Sequence, residues 1–126
     1  MRKIIIDTNF LMIPYKFGVD IFSEFDRICR FNYGLFIFEQ SIDELKGITQ
    51  RQSGKDKKAA EFGLKLVKLK NIGIIKSKER DADSSILSSA SKNTVVATQD
   101  IFLKKQLIEK GAPVIVLRQK KYLQLV

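Results

Sequence analysis

The sequence predicts an α/β layered domain with a mostly parallel sheet of about five strands. Strand-like and helix-like patterns alternate from one end of the chain to the other. The strand-like runs are short, continuously apolar and bounded by polar turns, as strands buried on both faces are. Two of these runs lead directly into an aspartate, Asp7 in IIIDTN and Asp100 in VVATQD. In an open α/β sheet the carboxyl ends of the strands face the crevice where ligands bind.

The elements follow in order. Residues 3–6 (KIII) form a β-rich apolar run suited to a central strand, and DTNFLMIPYKFG after it reads as a turn. Over 19–31, Val19, Phe22, Phe25, Ile28 and Cys29 recur at helical spacing, with Asp20, Glu24 and Asp26 mostly opposite. Gly34 punctuates the chain, and 35–38 is a second buried strand. A helix over 39–48 places Ile42, Leu45 and Ile48 on one face. TQRQSGKDKK, residues 49–58, has the composition of an exposed loop. The helix after it, 56–70, turns Ala59, Phe62, Leu66 and Leu69 inward. Residues 72–75 are strand-like, interrupted by Gly73. Asp83 is placed to cap a helix over 84–90, and 94–98 (TVVAT) is the next strand. Asp100 caps a helix that reaches Lys110 and stops at Gly111. Pro113 leads into the strand 114–117, and the tail RQKKYLQLV adds a short strand or an extended arm.

A chain of 126 residues is expected to form one domain, 1–126, with a core that needs no staples. No apolar run approaches the roughly 18 residues of a membrane span, and MRKIIID reads as a first strand, not a signal peptide. Cys29 is the sole cysteine and lies in a helical pattern, so a buried inert thiol and a reducing, cytoplasmic setting are expected. The chain has no histidine, which excludes His-based triads and His-ligated zinc. With one cysteine, a thiolate zinc site is excluded as well. Any metal must be held by oxygen, which favours Mg²⁺ or Mn²⁺.

The net charge of +9 is uneven: residues 51–80 carry ten basic side chains against three acidic ones. Such a stretch suits a polyanion, because phosphate contacts dominate nucleic-acid affinity. Arg51, Lys55, Lys57, Lys58, Lys78 and Arg80 are the candidates to grip RNA, and a solvated helix face is the alternative.

Four acids stand at the ends of different elements: Asp7, Glu44 in SIDEL, Asp83 in DADSSIL and Asp100. Each has a structural role to weigh against a functional one. Asp7 suits an Asx-turn or a helix cap. Glu44 suits a surface position beside the Ile42–Leu45 stripe, with Asp43 pointing further out. Asp83 and Asp100 suit helix N-caps. Asp81 competes with Asp83, which is preferred because Ile86 and Leu87 follow it at helical spacing. The conjunction argues for more. Two carboxylates about 4 Å apart repel by about 4 kcal/mol at an effective dielectric of about 20. A cluster of them persists by spreading apart, by protonating or by holding a cation. A divalent ion held there could activate water against a phosphodiester.

The order of these motifs resembles the PIN-domain ribonucleases, whose pattern is a first-strand Asp, a helical Glu, an Asp opening a later helix and a Thr-x-Asp after the fourth strand. Here those positions read IIIDTNFLMIP, SIDELKG, ADSSIL and VVATQD, across essentially the whole chain. The resemblance implies a three-layer α/β/α fold with a five-stranded parallel sheet, and Mg²⁺- or Mn²⁺-dependent cleavage of single-stranded RNA. It implies that Asp7, Glu44, Asp83 and Asp100 are catalytic and ligate metal. It implies too that Thr98 supports Asp100 and Asn9 orients the first loop. DTNFLMIPYKFGVDIF and VVATQDIFLKKQL look closest to the branch of eukaryotic small-subunit rRNA-processing endonucleases and their archaeal relatives, making pre-rRNA a candidate substrate. They look less like the VapC toxins, and a toxin-type ribonuclease is the alternative within the family. Many members of that branch carry a second Asp after the third acid, where this chain has Ser84. Many carry another acid after the fourth, where it has Ile101-Phe102-Leu103. The acid set is therefore minimal.

That leaves a second reading from another class, a catalytically quiet RNA-binding or assembly module that keeps the acidic pocket. A response-regulator phosphoacceptor would need an Asp ending the third strand and a Lys ending the fifth, where this chain has Ile75-Lys76-Ser77 and Leu117-Arg118. The family often dimerises, and the helix 19–31 or the C-terminal tail is the candidate surface.

Overall fold

The computed structural model describes residues 1–126. Five strands lie parallel: β1 (Arg2–Ile6), β2 (Tyr33–Phe38), β3 (Gly73–Ile75), β4 (Thr94–Ala97) and β5 (Val114–Arg118). A sixth, β6 (Tyr122–Leu125), pairs antiparallel with β5. The spatial order is β3-β2-β1-β4-β5-β6. The helices are α1 (Ile13–Phe17), α2 (Ile21–Ile28), α3 (Glu39–Arg51), α4 (Gly54–Leu69), α5 (Ala82–Ser89) and α6 (Ile101–Glu109), with a 3-10 turn, Thr8–Met12, between β1 and α1. None is long and apolar enough to cross a membrane.

Successive side chains of a strand serve opposite faces of the sheet. Ile4, Ile6, Val95, Ala97, Ile115 and Leu117 face the larger core, which is closed by the 3-10 turn, α2, α3 and α4. Ile5, Val96, Val114 and Val116 face the smaller core beneath α5 and α6. The result is the expected three-layer α/β/α arrangement, with one strand more than the five expected. The tail makes that extra strand through a turn in which Gln119 and Lys120 both have positive φ. Lys121 N–H closes the turn on Arg118 O at 3.0 Å. Turns of this hand suit the twist of an antiparallel pair, and they usually advertise themselves with Asn or Gly. Gln-Lys gives no such signal.

Other departures have equally local causes. DTNFLMIPYKFG is helical, not a plain turn: Asp7 caps the 3-10 segment, Pro14 sits in the first turn of α1, and Gly18 ends it at φ +66. The supposed loop 49–58 shrinks to Gln52 and Ser53, because α3 runs on to Arg51 and α4 begins at Gly54. The inner face of α4 is Ala59, Ala60, Gly63, Leu66 and Val67, whereas Phe62 and Leu69 are exposed. Small residues admit a close approach that large ones would block. A Cβ at Gly63 would stand 2.9 Å from the carbonyl oxygen of Leu11, in the turn that follows Asp7.

Cys29 is buried, and burial pushes its thiol above the ordinary range, which suits an inert side chain. The outer edge of β6 is blocked from within the chain. Leu123 N–H donates to Glu24 Oε1 at 2.9 Å, and Arg27 Nη2 donates to Leu123 O at 3.0 Å. Glu24 and Arg27 also pair with each other at 2.8 Å. An α2 ion pair thus takes the place of a neighbouring strand on part of an edge that could recruit another chain. The two segments considered for dimerisation, 19–31 and the tail, consequently pack on each other.

Gly63→Ala is expected to destabilise the protein by about 1–3 kcal/mol through overpacking, because its neighbour is backbone and cannot rotate away. Urea unfolding against wild type measures this; an unchanged midpoint would mean that α4 is free to shift.

Candidate active site

Sheet order decides where the acids can meet. From β1 the chain proceeds outward to β2 and β3, and from β4 outward to β5, so β1 and β4 are central neighbours. A crevice opens at the carboxyl ends of strands where the order reverses in this way. Asp7 follows β1 there, and Asp100 follows β4 after Thr98 and Gln99.

Asp7 is buried, and both carboxylate oxygens are used. Oδ1 accepts Thr8 N–H at 2.8 Å and Oδ2 accepts the Thr98 hydroxyl at 2.7 Å. Thr98 is fully buried, and its hydroxyl also accepts Asp100 N–H at 3.1 Å. One hydroxyl therefore ties the first acid to the backbone of the fourth. Gln99 lets the chain leave the sheet here without orphaning a donor: its Oε1 accepts Leu117 N–H at 2.7 Å. Asp100 caps α6, taking Phe102 N–H at 2.9 Å and Leu103 N–H at 3.1 Å on the same Oδ1 atom.

Asp83 is not the helix cap the sequence predicted. Asp81 caps α5, in extended backbone at φ −137, with Oδ1 on Ser84 N–H at 2.8 Å. That contact holds its carboxyl below the usual range. Asp83 falls in the first turn of the helix, with its carboxylate free of capping duty. Its carboxyl is pushed up by burial first, then by the charges of Asp7, Asp100 and Asp81. The Asp7 carboxyl is likewise raised by burial, and further by Glu44 and Asp100, while its bonds to Thr98 and Thr8 oppose the shift. Asp7 thus feels the charges of Glu44 and Asp100, and Asp83 those of Asp7 and Asp100.

No cation of the protein neutralises them. The two ion pairs, Lys16–Asp56 and Glu24–Arg27, lie elsewhere. No three acidic side chains are close enough to form a closed ligand shell. An open set of oxygens around uncompensated charge suits a hard divalent ion that keeps part of its water and binds through one or two carboxylates. Thr8 Oγ1, next to Asp7 in the chain, is buried with no hydrogen-bond partner, which suits an ordered water on the crevice floor.

The basic residues divide. Arg51 and Arg80 line a hollow of about 260 Å³ together with Glu44, Asp43, Gln40 and Asp81. Arg51 folds back along its own helix over Gly47, where a Cβ would meet its guanidinium at 2.5 Å. Lys58 lines a separate hollow with Tyr15, Glu61, Phe62 and Lys65. Lys55, Lys57 and Lys78 are exposed on α4 and on the β3–α5 loop, and Asn9 is exposed in the 3-10 turn. Sequence reasoning missed Gln40, whose Nε2 donates to Ser77 O at 3.0 Å and Glu79 O at 2.9 Å. It fastens the loop carrying Arg80 to the helix carrying Glu44. No local pattern signals that bond, because its partners are backbone carbonyls distant in sequence.

The model of the family described as a PIN like domain matches residues 4–120. This chain belongs to the PIN-like domain family. It is 34% identical over 127 residues to Ribonuclease VapC4 of Methanocaldococcus jannaschii, with 99% of this chain and 97% of that protein covered. It is 30% identical over 123 residues to Ribonuclease VapC9 of Archaeoglobus fulgidus, covering 96% and 87%. The PIN domain endonuclease Utp24 has the same fold, with a TM-score of 0.78 over 98% of this chain and 90% of that one, at 20% identity. Sequence kinship thus runs to relatives named as VapC ribonucleases.

Thr98→Val is expected to cost about 1–3 kcal/mol, since it strands a buried acceptor and a backbone donor while preserving shape; chemical denaturation against wild type measures it. The raised Asp7 carboxyl has a definite sign in stability. The folded state holds this proton to higher pH than the unfolded chain, so stability falls as pH rises above the ordinary aspartate value of 3.8. In metal-free buffer Asp7→Asn is therefore expected to be at least as stable as wild type at neutral pH, with the difference shrinking toward pH 3.8. Thermal melts across that range check it, and a neutral-pH loss in Asp7→Asn would contradict it.

Proposed function

We propose that this protein is a metal-dependent endoribonuclease acting on single-stranded RNA. What supports the reading is a set of coupled carboxylates left without a protein cation: Asp7 feels the charges of Glu44 and Asp100, and Asp83 feels those of Asp7 and Asp100. Of Asp7, Glu44, Asp83 and Asp100, one or two would hold Mg²⁺ or Mn²⁺ directly and the others through its water. A divalent ion bound there supplies Lewis-acid polarisation of the phosphate and activation of water. The chain's own residues position the reaction. Thr98 fixes the rotation of the Asp7 carboxylate and the start of the loop that presents Asp100. Arg51 and Arg80, beside Glu44, are placed to take RNA phosphates, and Lys55, Lys57, Lys58 and Lys78 extend the basic surface. Asn9 shapes the loop after Asp7.

Whole-length identity to two relatives named as VapC ribonucleases favours ribonuclease chemistry of the toxin type over pre-rRNA processing. The support for rRNA processing is fold likeness alone. A second reading, an RNA-binding or assembly module with little turnover, draws on the open spacing of the acids.

With Mn²⁺, wild type is expected to cleave a generic single-stranded RNA, and Asp7→Asn to lose at least about 100-fold in rate, the order of loss when a transition-state contact is removed. Mn²⁺ should also raise the melting temperature of wild type but not of Asp7→Asn, since binding to the native state alone stabilises it. Metal-induced stabilisation with RNA binding but no cleavage would favour the module. Neither stabilisation nor cleavage would end the nuclease proposal.

A further inference from the structure

Phe102 has no structural reason to be where it is. It is 80% exposed, and the next aromatic, Tyr15, is 41% exposed. Burying a phenylalanine normally contributes to folding; this ring contributes next to nothing. Phe10, Phe25 and Phe38 are buried in the cores, and Phe22, Phe31, Tyr33 and Phe36 pack against them. Tyr15 and Phe62 pack on each other, and Phe17 lies under Lys120. Phe102 touches neither ring nor cation, and its neighbour Ile101 is 72% exposed.

Its position is not arbitrary. Phe102 N–H is bonded to Asp100 Oδ1 at 2.9 Å, so its backbone is anchored directly to an acid of the crevice. The same oxygen takes Leu103 N–H. Two donors at this helix start are thus committed to Asp100. What remains offered beside the acids is a flat apolar surface. Lys105 lies three residues along α6, on the same side of the helix as Phe102. No acid shares that face until Glu109, a further turn away. A ring and an ammonium on one side of a helix suit one nucleotide: the base on the ring, its phosphate toward the lysine. Aromatic side chains bind single strands in this way whatever the base, since every base has a π-face.

We propose that Phe102 is a stacking platform for the nucleobase next to the phosphodiester held at the Asp7–Asp100 crevice, and so a positioning residue for single-stranded RNA. The proposal deepens the ribonuclease reading and rests on it for the identity of the strand.

The test uses the full chain carrying Asp7→Asn, so that RNA survives the titration, and a single-stranded RNA of about ten nucleotides with 2-aminopurine moved along it. Fluorescence should be quenched most at one position of the walk. Phe102→Ala in the same background should abolish that quench and weaken binding by about tenfold or more, as loss of one stacked base does. Phe102→Trp should restore both, and Phe102→Leu neither. With the acids intact and Mn²⁺ present, Phe102→Ala should raise KM by a similar factor and change kcat little.

Full restoration by Leu would overturn stacking in favour of bulk alone. Undiminished RNA binding by Phe102→Ala would overturn it outright. Sedimentation showing that wild type self-associates and Phe102→Ala does not, with Leu restoring the association, would assign the ring to a contact between copies and also overturn it. If wild type fails to cleave but the ring-dependent quench persists, the nuclease reading fails and stacking stands. If RNA does not bind at all, both fail.

Discussion

The hydroxyl of Thr98 is where the two halves of this protein are joined chemically. It donates to the Asp7 carboxylate and accepts the Asp100 backbone N–H, linking the segment that leaves β1 to the segment that leaves β4. Both segments lie at the one place where the sheet order reverses. Through Asp7 the bond fixes the start of the 3-10 turn, on which Gly63 of α4 packs. Through Asp100 it fixes the first turn of α6, and with it the exposed ring of Phe102. A hydroxyl suits the task because it donates and accepts at once. Valine would fill the same volume and do neither.

The charges around that bond are arranged against ordinary folding logic. The protein carries a net charge of +9, yet Asp7, Asp83 and Asp100 act on one another's carboxyls and none of them is paired with a lysine or arginine. Burial and mutual repulsion push Asp7 and Asp83 up together. Such a site is unfavourable for the empty fold, and sites of this kind are commonly functional. The cationic residues stand at the rim instead. Arg51 and Arg80 share a hollow with Glu44 and form no ion pair with it. A cation between the acids and a polyanion across the arginines would satisfy both sets of charge.

The core of the fold was legible because its strands carry their own evidence. KIII, TVVA and VIVL are continuous apolar runs at strand length, and in the structure they lie side by side at the centre of the sheet or next to it. The motif order through IIIDTN and VVATQD likewise placed Asp7 and Asp100 beyond the carboxyl ends of β1 and β4, which the fold sets side by side. Features that rest on small residues or on unadvertised backbone were not legible. The inward face of α4 is alanine and glycine, so the exposed Phe62 and Leu69 drew attention to the wrong side. The β5–β6 turn uses Gln119 and Lys120 at positive φ, where sequence rules look for Gly or Asn.

The sequence by itself determined which groups exist and in what order: an oxygen-only ligand chemistry, a basic stretch over residues 51–80, and aspartates following two strands within a few residues. These follow from residue type and from periodicities of two and 3.6, which are local properties of the chain. Only the tertiary structure decided which aspartate of DAD is spent on capping and which is left to face the crevice, since that depends on one backbone angle at Asp81. Only it decided that Gln40 ties the loop of Arg80 to the helix of Glu44. Contacts between residues far apart in sequence are set by how the layers stack, and no local pattern records them.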